Sequence, residues 1–221
     1  MEQYGLIFDM DGVLADTEPL IARASIDMFR DLYGVEMTAE DFRPFIGTGP
    51  YRYVQGPADK YGIKLDMERA LERRLANFQA LLEAGECKAC PGALDLIKAA
   101  TDSGEWLLAI ATSSPRPKAI PTLEAAHIPI EMFSVIVTGD QVTHKKPHPE
   151  IYLKAHGEVG LPKDNCIVIE DAVAGVESAK AAGLKCIAVT GSFRRDELAE
   201  ADLVVNSLEE VNLFTLRKLV L

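Results

Sequence analysis

The sequence predicts a doubly wound α/β protein, a parallel sheet with helices on both faces, carrying an all-helical insert after its first strand. Three observations support that reading. Six short apolar runs recur along the 221 residues, and they are continuous rather than alternating, as in strands buried on both faces. Helical patterns separate the later runs. From about residue 17 to 88 the rhythm is missing, and only helical patterns remain.

The first run is "YGLIFD" (4–9). The insert then reads as helices over 18–33, 38–44, 50–62 and 66–84. Thr38 followed by Asp41 resembles a helix start, although a capping box normally carries Glu or Gln at the second position. A helix over 92–103 precedes "WLLAIAT" (106–112). In "SSPRPKAIPTLEAAH", Pro115 and Pro117 suit a first turn, while Pro121 predicts a kink or a late start within 115–126. "SVIVTGD" (134–140), a helix over 149–158 and "NCIVIED" (165–171) follow. The best-marked helix, 172–182, has Gly183 as its stop. "KCIAVT" (185–190), a helix over 194–200 and "DLVVN" (202–206) complete the pattern. The expected division is an α/β core of residues 1–16 and 89–221 and a helical cap of 17–88. Ligands of open α/β sheets bind outside the carboxyl ends of the strands, and the insert leaves from that end.

Net charge is −11, which argues against nucleic acid or an anionic membrane surface as a partner. No run approaches the about 20 apolar residues of a membrane span, and no signal-peptide pattern opens the chain. A cytoplasmic monomer or weak homodimer is the expectation. Cys166 and Cys186 begin apolar runs and read as reduced core residues. Cys87 and Cys90 form a lone C-x-x-C with neither a second ligand pair nor a βαβ context, so no redox or zinc role is assigned.

The chemistry lies at the strand ends. Asp9 and Asp11 follow the first run; Thr112, Ser113 and Ser114 the second; Lys145 and Lys146 come after the third; Glu170 and Asp171 end the fourth. Two carboxylates so close repel, and burying them unpaired is costly. In a parallel sheet all these groups converge on one edge. There the carboxylates suit a hard divalent cation, Mg²⁺, and the lysine and hydroxyls suit an anionic group bridging to it.

These residues carry a resemblance. "DMDGVLADTE" is similar to the opening motif of the haloacid dehalogenase-like superfamily, and "LLAIATSS", "KKPHPEIY" and "IVIEDAVAGVESAKAAG" resemble its second to fourth motifs, in order. The resemblance covers the whole chain and implies a Rossmann-like core with the helical first-type cap. It implies that Asp9 is the nucleophile and forms an aspartyl phosphate, and that Asp11 is the general acid and base, with a backbone carbonyl on the metal. It implies that Thr112 holds a phosphoryl oxygen and Lys146 neutralises the transferring group. Asp9, Asp11, Glu170 and Asp171 would form the Mg²⁺ site, with Asp171 a direct ligand.

Ser113 and Ser114, with Gly47 and Thr48 of the cap loop "FIGTGPYRYVQG", are candidates for substrate contact; for Ser113 a structural role competes. Arg52 or Lys60 is placed to meet a second anionic group. Lys145 reads as a solvated neighbour, Asp16, Thr17 and Glu18 as ordering the loop into the cap, and the four histidines as scattered surface or turn residues. "ERALERRLANF" reads as the solvated face of a cap helix. The implied activity is a Mg²⁺-dependent phosphatase acting on a small phosphorylated metabolite such as a sugar phosphate. A β-phosphoglucomutase-like isomerase shares the motifs. In that branch, however, an arginine follows the loop glycine and a histidine follows the D-T-x-E stretch; here Pro50 and Ile21 stand near those positions. A non-catalytic binding module is disfavoured because no motif position is lost. Asp11 disfavours the dehalogenases, and the phosphonate-hydrolysing branch has a different opening motif and a cap lysine.

Overall fold

The computed structural model describes residues 3–220. All six expected strands form: β1 (Tyr4–Phe8), β2 (Trp106–Ala111), β3 (Phe133–Val137), β4 (Cys166–Glu170), β5 (Lys185–Val189) and β6 (Leu203–Val205). They make one parallel sheet in the order β3-β2-β1-β4-β5-β6. Alternate side chains explain the continuous apolar runs. Leu6, Phe8, Ile110 and Ile169 join the core on one face, while Ile7, Ala109, Val135 and Val168 join the core on the other. The chain builds outward from β1 to β2 and β3, then returns to place β4 on the other side of β1. That reversal opens a crevice at the carboxyl ends of β1 and β4.

Between β1 and β2 lie α1 (Glu18–Tyr33), α2 (Pro50–Tyr61), α3 (Met67–Glu83) and α4 (Ala93–Ser103). After β2 come α5 (Arg116–Ala125), α6 (Glu150–Val159), α7 (Val173–Ala181) and α8 (Leu213–Val220). The segment from α1 to α3 contains no strand, and its ends run side by side. Asp16 N–H donates to the Lys88 carbonyl at 2.8 Å, and Cys90 N–H donates to the Leu14 carbonyl at 3.0 Å. Its own core is partly aromatic: Phe42 stacks on Tyr53 at 5.2 Å and meets Phe29 at 6.0 Å. No described helix is long and apolar enough to cross a membrane.

Three expectations need correction, and one helix was not expected. The 38–44 helix is two 3₁₀ turns, Ala39–Asp41 and Arg43–Phe45; Pro44 lacks the N–H that would continue the first. Of the kink or late start expected at Pro121, the late start is absent, since the helix runs from Arg116 through the proline to Ala125. Residues 194–200 form turns, not a helix. Only Leu198 is fully buried there, and the Glu197 carboxylate is held by Arg194 N–H at 2.9 Å and Arg43 at 2.7 Å. Finally, α8 was not anticipated; it is two turns long and Leu216 is its one buried residue, too little for a periodic signal.

The Thr38–Asp41 signal works with aspartate in place of glutamate. Asp41 accepts from Thr38 N–H at 2.9 Å and from Lys60 Nζ at 2.6 Å. The Lys60 bond, then Thr38, holds the Asp41 carboxyl at about 2, below its ordinary 3.8. The folded-state value lies below the unfolded one, so this contribution to stability is present above about pH 4 and is lost as pH falls toward 2. Lys60 is well exposed and its charge screened, so the effect is modest. We expect Asp41→Asn to lower the urea midpoint at pH 7, and the gap from wild type to narrow on acidification. A gap independent of pH would refute this role.

Candidate active site

The first group of residues surrounds Lys146. Its ammonium is buried and donates to Asp9 Oδ1 at 2.5 Å and Glu170 Oε1 at 2.6 Å, tying the end of β1 to the end of β4. Tyr152 of α6 also donates to Glu170 Oε1, at 2.6 Å, and its ring lies 4.8 Å from the Lys146 ammonium. Glu170 Oε2 accepts from the backbone N–H of Asp171 and Ala172. A Cβ on Gly175 would lie 1.8 Å from Glu170 Oε1, so only glycine lets α7 approach. Asp171 is buried and accepts from Ser192 at 2.7 Å. Burial pushes the Asp9 carboxyl up to about 8 against the pull of Lys146. Burial, and then the Glu170 charge, also raises Asp171.

Asp11 belongs to a second group. Its Oδ1 accepts from Thr17 at 2.6 Å and from Lys118 Nζ at 2.7 Å; its Oδ2 accepts from Ser114 at 2.7 Å. Burial opposes the ionised form, but Lys118 together with both hydroxyls outweighs it and holds this carboxyl below its ordinary value. Thr112 Oγ1 accepts from Ser114 N–H at 3.1 Å, and Ser113 donates to the Gly47 carbonyl at 3.0 Å across the crevice.

Between the two groups lies a cavity of about 40 Å³, closed from above by the helical segment. Asp9, Asp11, Thr112, Ser113, Ser114 and Asp171 line it from the sheet side, and Gly47, Gly49, Glu18, Ile21, Tyr53 and Arg74 line it from the helical side.

A family model described as haloacid dehalogenase-like hydrolase matches residues 6–189. The chain belongs to the haloacid dehalogenase-like hydrolases. The Arabidopsis thaliana protein SUPPRESSOR OF QUENCHING 1 is 40% identical over 200 residues, which are 89% of this chain and 19% of that protein. Hexitol phosphatase A of Escherichia coli is 34% identical over 214 residues, covering 94% of this chain and 92% of that one. The crystal structure of CbbY from Rhodobacter sphaeroides in complex with phosphate superimposes with a TM-score of 0.86 at 33% identity, over 97% of this chain and 99% of that one.

As in a haloacid dehalogenase-like hydrolase, the motif residues meet at one sheet edge. Asp9, Glu170 and Asp171 each offer a buried carboxylate oxygen within 4.8 Å of the others. Such a hard oxygen set, with only Lys146 to offset it, fits Mg²⁺. The Asp11 side chain is not in this set; it faces Lys118 instead.

Several sequence expectations change. Thr48 does not line the cavity, and its hydroxyl donates to the Phe45 carbonyl at 2.6 Å. Lys145 is no solvated neighbour, since its ammonium donates to the carbonyls of Gly139 and Val142 and braces the loop before Lys146. Arg52 lies over the Phe45 ring and Lys60 on Asp41, both away from the cavity. His144 and His148 are paired rather than scattered, with ring centroids 4.5 Å apart beside Glu150. Cys87 and Cys90 are free thiols, and burial pushes Cys87 up to about 11.

Lys118, Glu18 and Arg74 escaped sequence reasoning. Burial pushes the Glu18 carboxyl up to about 7. Arg74 stands on the buried stripe of α3 with Ala70, Phe78 and Leu81, a spacing the apolar periodicity could have flagged.

Gly12 has φ +79°, and a Cβ there would lie 2.3 Å from Asp171 Oδ2. Gly12→Ala is therefore expected to weaken Mg²⁺ binding by about tenfold or more in titration calorimetry while the fold is kept. Unchanged affinity would show that Asp171 is not positioned for a metal.

Proposed function

We propose that the protein is a Mg²⁺-dependent phosphatase of a small phosphorylated sugar, acting through a phosphoryl group carried on Asp9. One observation carries this reading. Asp9 and Asp11, two residues apart, are held by different lysines in different surroundings: Asp9 among buried carboxylates, Asp11 among hydroxyls. Two carboxyl groups with diverging environments suit two roles.

Asp9 acts as the ionised nucleophile and Asp11 as the protonated acid, which requires Lys118 to release the Asp11 carboxylate that it holds ionised here. The Asp9 oxygen–phosphorus bond then forms as the ester bond breaks, and the leaving oxygen takes the proton from Asp11. Water then attacks the phosphoryl group, gives its proton to Asp11, and frees phosphate and the Asp9 carboxylate. Lys146 keeps Asp9 oriented. Thr112 Oγ1 already accepts from Ser114 N–H, which leaves its O–H to donate to a phosphoryl oxygen. Asp9 and Asp171, with the Asp11 carbonyl, would hold Mg²⁺, which when bound would supply positive charge for the transferring group. The segment from α1 to α3 serves as a cap that excludes water, and the adjoining crossings at residues 14–17 and 88–90 absorb its movement. The named phosphatase among the relatives supports a sugar-type substrate. Ile21 and Pro50 line the cavity where the mutase branch places a histidine and an arginine, which favours hydrolysis over isomerisation.

The test is phosphate release from p-nitrophenyl phosphate and a panel of sugar phosphates, with and without Mg²⁺. Asp9→Asn is expected to lower kcat by orders of magnitude, and chelation to abolish turnover. Near-wild-type turnover in that variant would refute the covalent route. Asp11→Asn should retain Mg²⁺ binding but lose about 10²–10⁴ in kcat. With β-glucose 1-phosphate and the bisphosphate primer, no more than trace isomerisation is expected; robust conversion would favour a mutase.

A further inference from the structure

The helical wall of the cavity contains a buried cation that feels the charges of Asp11 and Glu18 but forms a direct ion pair with no described residue. Arg74 is only 8% exposed, yet no described carboxylate forms an ion pair with it. Its Nε donates to Ser25 Oγ at 2.8 Å, and Ser25 in turn donates to the Ile21 carbonyl at 2.7 Å. The guanidinium lies 4.9 Å from the centre of the Tyr53 ring, whose other neighbour is Phe42. These contacts fix the plane of the group and one of its N–H donors. The Nη atoms form no hydrogen bond among the described residues, and Arg74 lines the cavity together with Asp9 and Asp11.

A buried charge left unpaired is costly, and a structural role in α3 would be met as well by an apolar residue of similar volume. A planar fork with free donors is instead the group that recognises an oxyanion by paired hydrogen bonds. The phosphoryl group that is cleaved already has Lys146, the Thr112 hydroxyl and the metal site on the sheet side. We propose that Arg74 anchors a second oxyanion subsite in the cap, so that the substrate carries a phosphate or carboxylate besides the phosphoryl group it loses. This rests on the phosphatase reading above, and it moves the second-anion role from Arg52 and Lys60 to Arg74.

The experiment compares kcat/KM, with Mg²⁺, for a pentose or hexose bisphosphate, a phosphorylated sugar acid and the matching sugar monophosphate. The wild type should prefer one of the doubly anionic substrates by about 30-fold or more, and the larger preference tells phosphate from carboxylate. In Arg74→Gln that ratio should collapse toward one, and in Arg74→Lys it should be partly kept. Ser25→Ala, which frees the Nε end without removing charge, should lower it by a smaller factor and stands in should Arg74→Gln fail to fold. Calorimetric binding of the same compounds to the Asp9→Asn protein should follow the same order. A wild-type ratio near one, or a ratio that the variants leave unchanged, would overturn the subsite while leaving the phosphatase intact. Equal losses on all three substrates would place Arg74 on the cleaved phosphoryl group and also overturn it. No phosphate release from any of them, or from p-nitrophenyl phosphate, would overturn the phosphatase reading itself.

Discussion

The bridge that Lys146 makes between Asp9 and Glu170 is the interaction on which the site depends. It ties together two strands that are neighbours in the sheet but lie far apart in sequence, at the point where the strand order reverses. The charge balance around it is not closed. Asp9, Asp11, Glu18, Glu170 and Asp171 gather at the crevice, against Lys146, Lys118 and Arg74. With all five ionised, these carboxylates facing three cations would leave a surplus of two negative charges. Burial first, and then the Glu170 charge, raises the carboxyls of Asp9 and Asp171 against that ionised state. A divalent cation would remove the surplus, and on the proposed reading an incoming phosphate ester would then meet a neutral rather than a repelling site.

The rest of the fold serves to hold that surplus in place. Parallel strands end on the same side, so residues placed just after β1, β2 and β4 share one edge without any long-range pairing of loops. Helices on both faces keep that edge rigid, and the side chains that fix it come from the helices' first turns or from loops before them. Tyr152 reaches Glu170 from α6, and Gly175 allows α7 to begin against the same carboxylate. Lys145 braces the turn that delivers Lys146 by capping two carbonyls. Each of these contacts spends a polar group on position, which is what phosphoryl chemistry requires of a protein.

Much of this was legible in the sequence, for a physical reason. Buried parallel strands leave continuous apolar runs, and carboxylates or hydroxyls at the ends of such runs have no packing role, so Asp9, Asp11, Thr112, Lys146, Glu170 and Asp171 stand out. The parts that were missed lie where one residue does two things. Arg74 and Lys118 sit on helices whose charged residues mostly face water, and although the apolar spacing of α3 marks Arg74 as buried, nothing local tells what either side chain does. Only their tertiary surroundings do: Ser25 and Tyr53 for one, Asp11 and Ser114 for the other. The turns at 194–200 failed for the opposite reason, because a helical composition without a second apolar anchor gives nothing to pack.

Asp11 joins the two halves of the molecule. It accepts from Thr17 at the root of the helical segment, and from Lys118 and Ser114 in the core; Lys118 in turn lies 4.9 Å from the ring of Phe78 on α3. Movement of the segment over the sheet therefore alters the surroundings of the residue assigned to proton transfer, while Asp9, locked by Lys146 entirely within the core, is left as it was. Arg74 lies on the same helix as Phe78, one turn away. On the proposed subsite, a substrate that draws Arg74 down onto its remote oxyanion would draw α3 toward Lys118 and Asp11. Recognition at the far end of the substrate and readiness for proton transfer at the near end then share a single rigid helix, so that a ligand lacking the remote group is both bound more weakly and processed less well.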